Sequence, residues 1–466
     1  MPSDEDINAV LLSQGQGPRG MKMKVAANVI LGQPLAQCLM GLKYITQQRV
    51  ERINAIASFL STSPYDIVCL QELFVERDFE VIRDSVLTNL PFSKQFHGGA
   101  VGRGLAIFSR FSIISATIQA YSLNGSPLDL KGADWFAGKG AAVVLITHPT
   151  LGELEIFNTH FFSEGGDDGP EHQRSHRLVN AWEFAKLVKQ SAESGRHVIA
   201  AGDFNSEPYT LPMTVVRDHA GLIDTWGSLH APSAEESRKS MSPEDALSTY
   251  GLTYDSSLNS FCTRGTTIPQ GKRLDYILFR NPWHPTASPL PLRLIHKDAR
   301  VVLTEYIPGR SFSYSDHFGV EALFEIEGSE PQDPGSPNPT LIDHTDVPTL
   351  PSTALTTNAK SHLSAANALA MLDALKTRLR LSRVRSRQEL RIYAGCVVAL
   401  VGLLVGTGWS PKGFLTPVFV FVGALATWLG TTMFYVGMMY GGWEASILQN
   451  LIEEMELYVR ALQDSS

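Results

Sequence analysis

Several short stretches of this 466-residue chain end in side chains that can do chemistry. Val68-Cys69-Leu70-Gln71-Glu72 is an apolar run closed by a carboxylate. A carboxylate at a strand end suits a hard divalent cation, which takes oxygen ligands and keeps several of its waters; taken alone, Glu72 also fits an ordinary surface glutamate. Asn158-Thr159-His160-Phe161 places a histidine among apolar neighbours, a pattern that by itself also describes a core histidine bonded to backbone. In Ala201-Gly202-Asp203-Phe204-Asn205, Asp203 can orient a nucleophile or a metal-bound water, and Asn205 can donate to a phosphoryl oxygen without adding charge. The same pair also suits a plain Asx turn. In Ser313-Tyr314-Ser315-Asp316-His317-Phe318, an imidazole beside a carboxylate suits a general base near neutral pH. Such a base needs a second carboxylate to fix its tautomer. Asp275, in Lys272-Arg273-Leu274-Asp275-Tyr276, is the natural candidate, which leaves Asp316 to face a metal. A surface Asp–His pair is the alternative.

Residues of this kind must be mounted on a scaffold, and residues 23–327 read as one globular domain. Strand-like runs recur at 143–148, 154–162, 197–205, 273–279 and 318–326. Helical periodicity covers 45–60, with Val50, Ile53, Ile56, Ala57 and Leu60 on one stripe. It returns at 176–191, with Leu178, Trp182, Ala185 and Leu187. Many strands and few helices predict stacked sheets covered by helices, an α/β sandwich with the polar residues at strand ends.

Outside that domain the composition changes. Residues 1–22 read as a flexible N-terminus, and 328–360 as a proline-, serine- and threonine-rich linker. Residues 361–391 predict a basic helix carrying Lys376, Arg378, Arg380, Arg383, Arg385, Arg387 and Arg391. Between Arg391 and Glu444 the only charge is Lys412, in a Ser-Pro-Lys-Gly turn. Each flank is long enough to cross a hydrocarbon core of about 30 Å, so 392–440 is predicted to be a two-span hairpin, and 441–466 an amphipathic tail that packs on the domain or on another copy. The cations before the first span place that side, and with it the catalytic domain, in the cytosol. They also offer a contact for anionic phospholipids at about 1 kcal/mol per residue, although the run equally serves as a plain topology signal.

Net charge is −8, which argues against a dedicated nucleic-acid binder. The cysteines, Cys38, Cys69, Cys262 and Cys396, match no zinc or disulfide spacing. The opening MPSDEDINAV lacks the basic and apolar regions of a signal peptide.

Taken together, these residues resemble the endonuclease/exonuclease/phosphatase superfamily, whose fold is a four-layered DNase-I-like sandwich of two sheets flanked by helices. Gly132-Ala133-Asp134-Trp135-Phe136-Ala137-Gly138-Lys139-Gly140 resembles the segment characteristic of its neutral sphingomyelinase branch. Gly41-Leu42-Lys43-Tyr44-Ile45 and His172-Gln173-Arg174-Ser175-His176-Arg177 fit the same branch. Its fungal members are inositol phosphosphingolipid phospholipases C that carry a C-terminal pair of spans. The resemblance implies Mg2+-dependent hydrolysis of sphingolipid phosphodiesters, with Mn2+ as a substitute, at a cytosol-facing membrane of the endoplasmic reticulum or mitochondrial surface. Glu72 would be the main metal ligand, aided by Asp316. His317 would be the general base and Asp275 its orienter. Asp203 and Asn205 would position the nucleophile, and His160 would hold a phosphate oxygen. Asp134 and Lys139 would form an ion pair in a substrate-side loop. The family's first strand ends in an asparagine; here Cys38 takes that place without a gap, and Asn28 takes it with an insertion. Alternative readings are a membrane-tethered nuclease or nucleotide phosphodiesterase, and a scaffold of the same fold with weakened turnover. Self-association through the spans or tail is a further expectation.

Overall fold

The computed structural model describes residues 22–29, 48–100, 102–129, 134–166, 169–230, 240–262, 271–282, 292–328, 362–409 and 413–464. Cys38, the Gly41–Ile45 segment, nearly all of the 328–360 linker and the Ser410-Pro411-Lys412 turn lie outside these residues.

Two six-stranded sheets form the centre. The first has the order β11-β12-β1-β2-β4-β3, from Arg293–Val302, Gly319–Glu327, Lys22–Val29, Ile67–Gln71, Leu105–Ser109 and Phe92–Phe96. The second has the order β5-β6-β7-β8-β10-β9, from Ile113–Ala120, Gly140–His148, Gly152–His160, His197–Asp203, Asp275–Arg280 and Ile223–Asp224. The β1–β2 and β7–β8 pairs are parallel and the other pairs antiparallel.

The sheets stack because their central strands are apolar on both faces. In β2, Ile67 and Cys69 enter the core between the sheets. Val68 and Leu70 face helices α1 (Arg49–Thr62) and α2 (Glu76–Val86) on the outside. The second sheet is covered by α3 (Ser175–Glu193), whose Leu178, Trp182 and Ala185 are buried. This is the four-layered architecture expected. One detail differs: Val50 is 60 % exposed, and Arg52 takes its place on the buried stripe of α1. Arg52, Ile56 and Leu60 stand four residues apart, one above another on a helix.

The C-terminal region departs from a domain-plus-anchor plan. The basic segment and the first apolar segment form one helix, α4 (Ala365–Gly408). The return runs through α5 (Thr416–Phe434), a π-turn at Tyr435–Tyr440 and α6 (Gly441–Asp464). Helix continues unbroken through both Arg391/Ile392 and Tyr440/Gly441. Met371, Leu375 and Leu379 of α4, and Leu448, Leu451 and Met455 of α6, share one buried cluster with Trp182. These helices therefore complete the layer over the second sheet, and the tail packs on its own domain. Their other halves are long and apolar enough to cross a membrane, with almost none of that surface buried.

Candidate active site

The site gathers where β2, β7 and β8 end and β10 begins, joined by the loop before β12. Register dictates this convergence: Asp275 of β10 pairs with Asp203 of β8, and Asp203 pairs with His160 of β7. Gly202 is required beside them, since its φ is +142° and a Cβ there would stand 2.0 Å from the Thr159 carbonyl oxygen. Across the gap between the sheets, Asn158 of β7 donates to the Leu70 and Ala106 carbonyls at 2.9 Å each and accepts from Gln71 at 2.6 Å. That buried amide pins the second sheet to the strand that delivers Glu72.

His317 Nδ1 donates to Asp275 Oδ2 at 2.8 Å, which turns Nε2 away from that carboxylate. Burial disfavours the imidazolium, but Asp275, Asp203 and Asp316 outweigh it and raise His317 to about 10. Asp275 is itself pushed up by burial and drawn back by His317. Burial alone would raise Asp203, yet His160, His317 and Lys139 hold it at about 2. Asp203 Oδ1 accepts from the Asn205 amide N–H at 2.7 Å, and Asn205 Nδ2 donates to Asp203 Oδ2 at 3.1 Å and to the Phe161 carbonyl at 3.0 Å. Glu72 and Asn205 sit at φ values of 59° and 47°, a left-handed conformation that costs a non-glycine residue about 1–2 kcal/mol.

A second chain of contacts supports His160. Lys139 Nζ lies 2.6 Å from His160 Nε2 and 3.1 Å from Asp134 Oδ1. Asp134 Oδ2 accepts from the Ser163 N–H and hydroxyl at 2.8 and 2.7 Å. His160 Nε2 thus lies between the Lys139 ammonium and the Asp203 carboxylate, whose Oδ2 is 3.3 Å away, and Nδ1 is buried without a hydrogen-bond partner.

Asp203, Asp275 and His317 offer ligand atoms within 4.8 Å of one another. Glu72 Oε2 and Asp275 Oδ1 are buried oxygens without a hydrogen-bond partner. Asp316 is raised to about 7, chiefly by burial and also by Glu72. A set of hard oxygens carrying surplus negative charge fits a divalent cation. Asn28 is buried on β1, opposite Leu70 in register, with its amide 3.0 Å from where a Gly319 Cβ would stand.

Two neighbours were not anticipated from the sequence. Arg52 is fully buried, donates to the Tyr314 carbonyl at 2.8 Å and lies in the field of Asp316 and Glu72. Its signal was an arginine at the i, i+4, i+8 spacing of Ile56 and Leu60. The Tyr254 ring packs 4.6 Å from the His317 ring, and nothing in the local sequence marks it. The His172–Arg177 segment acts differently from the reacting groups. Arg177 donates to the Phe162, Ser163 and Glu164 carbonyls at 2.8 Å each, fixing the chain just after His160.

With its fold and paired acid–imidazole site, the chain belongs to the Endonuclease/Exonuclease/phosphatase family, which it matches over residues 44–317. Within that class it is 31 % identical over 425 residues to the inositol phosphosphingolipids phospholipase C of Schizosaccharomyces pombe, covering 89 % of this chain and 91 % of that one. The Saccharomyces cerevisiae protein of the same name is 28 % identical over 448 residues, covering 89 % and 87 %. Sphingomyelin phosphodiesterase 2 of Homo sapiens is 27 % identical over 292 residues, covering 63 % and 64 %.

Proposed function

We propose that this protein is a phosphoric diester hydrolase that cleaves sphingolipids in the manner of a phospholipase C, releasing ceramide and the phosphorylated headgroup. The observation that carries the reading is the pairing of His317 with Asp275 at 2.8 Å beside an Asp203–His160 contact of 3.3 Å. One group is built to move a proton and the other to grip an anion. In this mechanism His317 Nε2 takes a proton from water, while Asp275 holds the ring in the required tautomer. The water oxygen bonds to phosphorus as the bond to the ceramide oxygen breaks, and that oxygen leaves with a proton. His160 and the polar turn at Asn205 stabilise charge on the phosphoryl oxygens, the kind of preorganised electrostatics that dominates such reactions.

Glu72 and Asp316 are the residues assigned to hold a divalent cation, with Mg2+ the ion their hard oxygens favour and Asn28 the neighbouring neutral donor. When bound, such an ion supplies charge withdrawal from the phosphoryl oxygens and offsets the carboxylates that raise His317. The two apolar helices are assigned to cross a membrane, with the catalytic domain on the cytosolic side. Of the cations expected to meet anionic lipid, Arg378 and Arg385 already bind Glu444, and Lys376 binds Glu456 at 2.6 Å. Arg380, Arg383, Arg387 and Arg391 are exposed and remain the assigned contacts.

Lipid mass spectrometry after incubating purified protein with inositol phosphosphingolipid, sphingomyelin and duplex DNA tests the reading. Ceramide release with divalent cation, lost on chelation and in His317→Ala, is expected. DNA cleavage without ceramide release by folded protein refutes it.

A further inference from the structure

The C-terminal helices meet the catalytic domain through a buried polar joint. Glu444 has no exposed surface. Its carboxylate accepts from Arg378 at 2.8 Å, His176 at 2.9 Å, Ser382 at 2.6 Å, and Arg385. His176 uses its other ring nitrogen to accept the Gly125 N–H at 2.9 Å. The Tyr440 hydroxyl donates to the carbonyl of the same Gly125. Helices α4 and α6, the π-turn between α5 and α6, α3 and the 121–129 loop are thus tied at one level of the molecule.

Beyond that level the exposed surface becomes continuously uncharged. On α4, Leu381 and Val384 are exposed among the cations, and the uncharged apolar run follows Arg391, with Ile392 at 46 % and Val398 at 72 % exposure. On the return that uncharged run ends with Met439, 58 % exposed, and Trp443, 45 % exposed, just before Glu444. Tryptophan favours the headgroup level, so the half-exposed Trp443 marks the edge of a bilayer around the hairpin, with the buried Tyr440 beside it. Gly125 is bonded to that edge.

Gly125 also leads directly to the site. A Cβ on it would stand 2.8 Å from the Phe162 ring, and Phe162 follows His160 by two residues. On the same loop Leu128 is 44 % exposed. The lip formed by Gly125–Leu128 and Phe162–Glu164 is therefore continuous with the base of the hairpin on one side and with the phosphate-gripping histidine on the other.

We infer that this lip rests on the leaflet that the hairpin enters, with Leu128 in its interface, and that the site takes lipids only from its own bilayer. The inference builds on the proposed sphingolipid hydrolysis and on the hairpin crossing a membrane. The Glu444 joint is what enforces it: with the hairpin continuous into the buried layer over the second sheet, the site has no independent swing toward an apposed membrane.

Full-length protein is reconstituted into vesicles that contain sphingolipid, or into vesicles without it that are then mixed with substrate vesicles. Turnover within the protein's own vesicles is expected to exceed turnover across vesicles at least tenfold. Leu128→Glu should lower the rate on vesicle lipid severalfold while leaving hydrolysis of a water-soluble, short-chain phosphodiester unchanged. Equal rates within and across vesicles, or equal effects of Leu128→Glu on both substrates, overturn the inference. A photo-crosslinking benzoylphenylalanine replacing Leu128 should capture bilayer lipid, whereas one replacing Leu87, exposed beside α2 over the opposite sheet, should not. Lack of capture at position 128 also overturns it. Because capture needs no turnover, loss of all hydrolysis with capture intact counts against the proposed activity and not against the lip.

Discussion

Asp275→Asn is the sharpest perturbation of the proposed chemistry. Asp275 is 2 % exposed, and its Oδ2 receives the His317 Nδ1 proton at 2.8 Å. An asparagine fills the same volume, but its amide can donate to Nδ1 and so drive the ring proton onto Nε2, the nitrogen needed as base. General-base catalysis contributes about 10²–10⁴-fold, which at about 1.4 kcal/mol per decade is a barrier increase of roughly 3–5 kcal/mol. The fall should appear in kcat with little change in KM, because in this reading Asp275 acts through His317 and does not hold substrate. The pH dependence of stability offers a second readout in chelated protein. His317 is raised from 6.5 to about 10 in the fold, so its contribution is fully present below pH 6.5 and is lost as pH rises through about 10. Asp275→Asn should flatten that decline in melting temperature. A variant that keeps kcat within threefold, with an unchanged stability slope, refutes the assignment of His317 and Asp275 as a base and its orienter.

Other expectations test the rest of the site and its support. Saturating Mg2+ at about 100 times its Kd should stabilise the protein by about 2.7 kcal/mol, seen as a rise in melting temperature, and Glu72→Gln should abolish most of that rise. Lys139→Met removes the ammonium beside His160 Nε2 and one half of a buried ion pair, and should lower kcat about tenfold to a hundredfold, with circular dichroism unchanged. Asn158→Leu leaves the Leu70 and Ala106 carbonyls and the Gln71 amide without their partner and should cost about 1–3 kcal/mol per stranded group in denaturant titration. Glu444 is held well below the ordinary glutamate range: burial opposes this, but His176, Arg378 and Arg385 outweigh it. Its contribution is therefore present above about pH 4.5 and lost as pH falls further. Glu444→Gln should remove that acid dependence and destabilise by about 3–5 kcal/mol in thermal or denaturant melts.

The sequence by itself marked part of the strand set to within a few residues, while β1, β3, β4, β5, β9 and β11 carried no such signal. Alternation and apolar runs mark β6, β7, β8, β10 and β12, and a polar residue that flanks such a run has to emerge where the strand meets a loop. Glu72, His160, Asp203 and His317 were legible for that reason. The two apolar helices were legible too, since a long uncharged run has few other homes. Local pattern could not say which residues meet. Asp275 stands opposite Asp203 only through the antiparallel register of β8 and β10, and Asp134 reaches Ser163 only through a loop closure. Arg52 was hidden because a buried cation becomes intelligible only beside the carboxylates that hold it, and Asp316 and Glu72 come from distant strands. The C-terminal helices show the limit most clearly. Charge and hydropathy separate a basic helix from a span and a span from a tail, whereas the structure makes each pair one continuous rod and buries half of it in the domain. Hydropathy registers the solvent or lipid that a residue prefers. Burial against Trp182 and the partners of Glu444 depend on what lies across the interface, and only the tertiary fold supplies that.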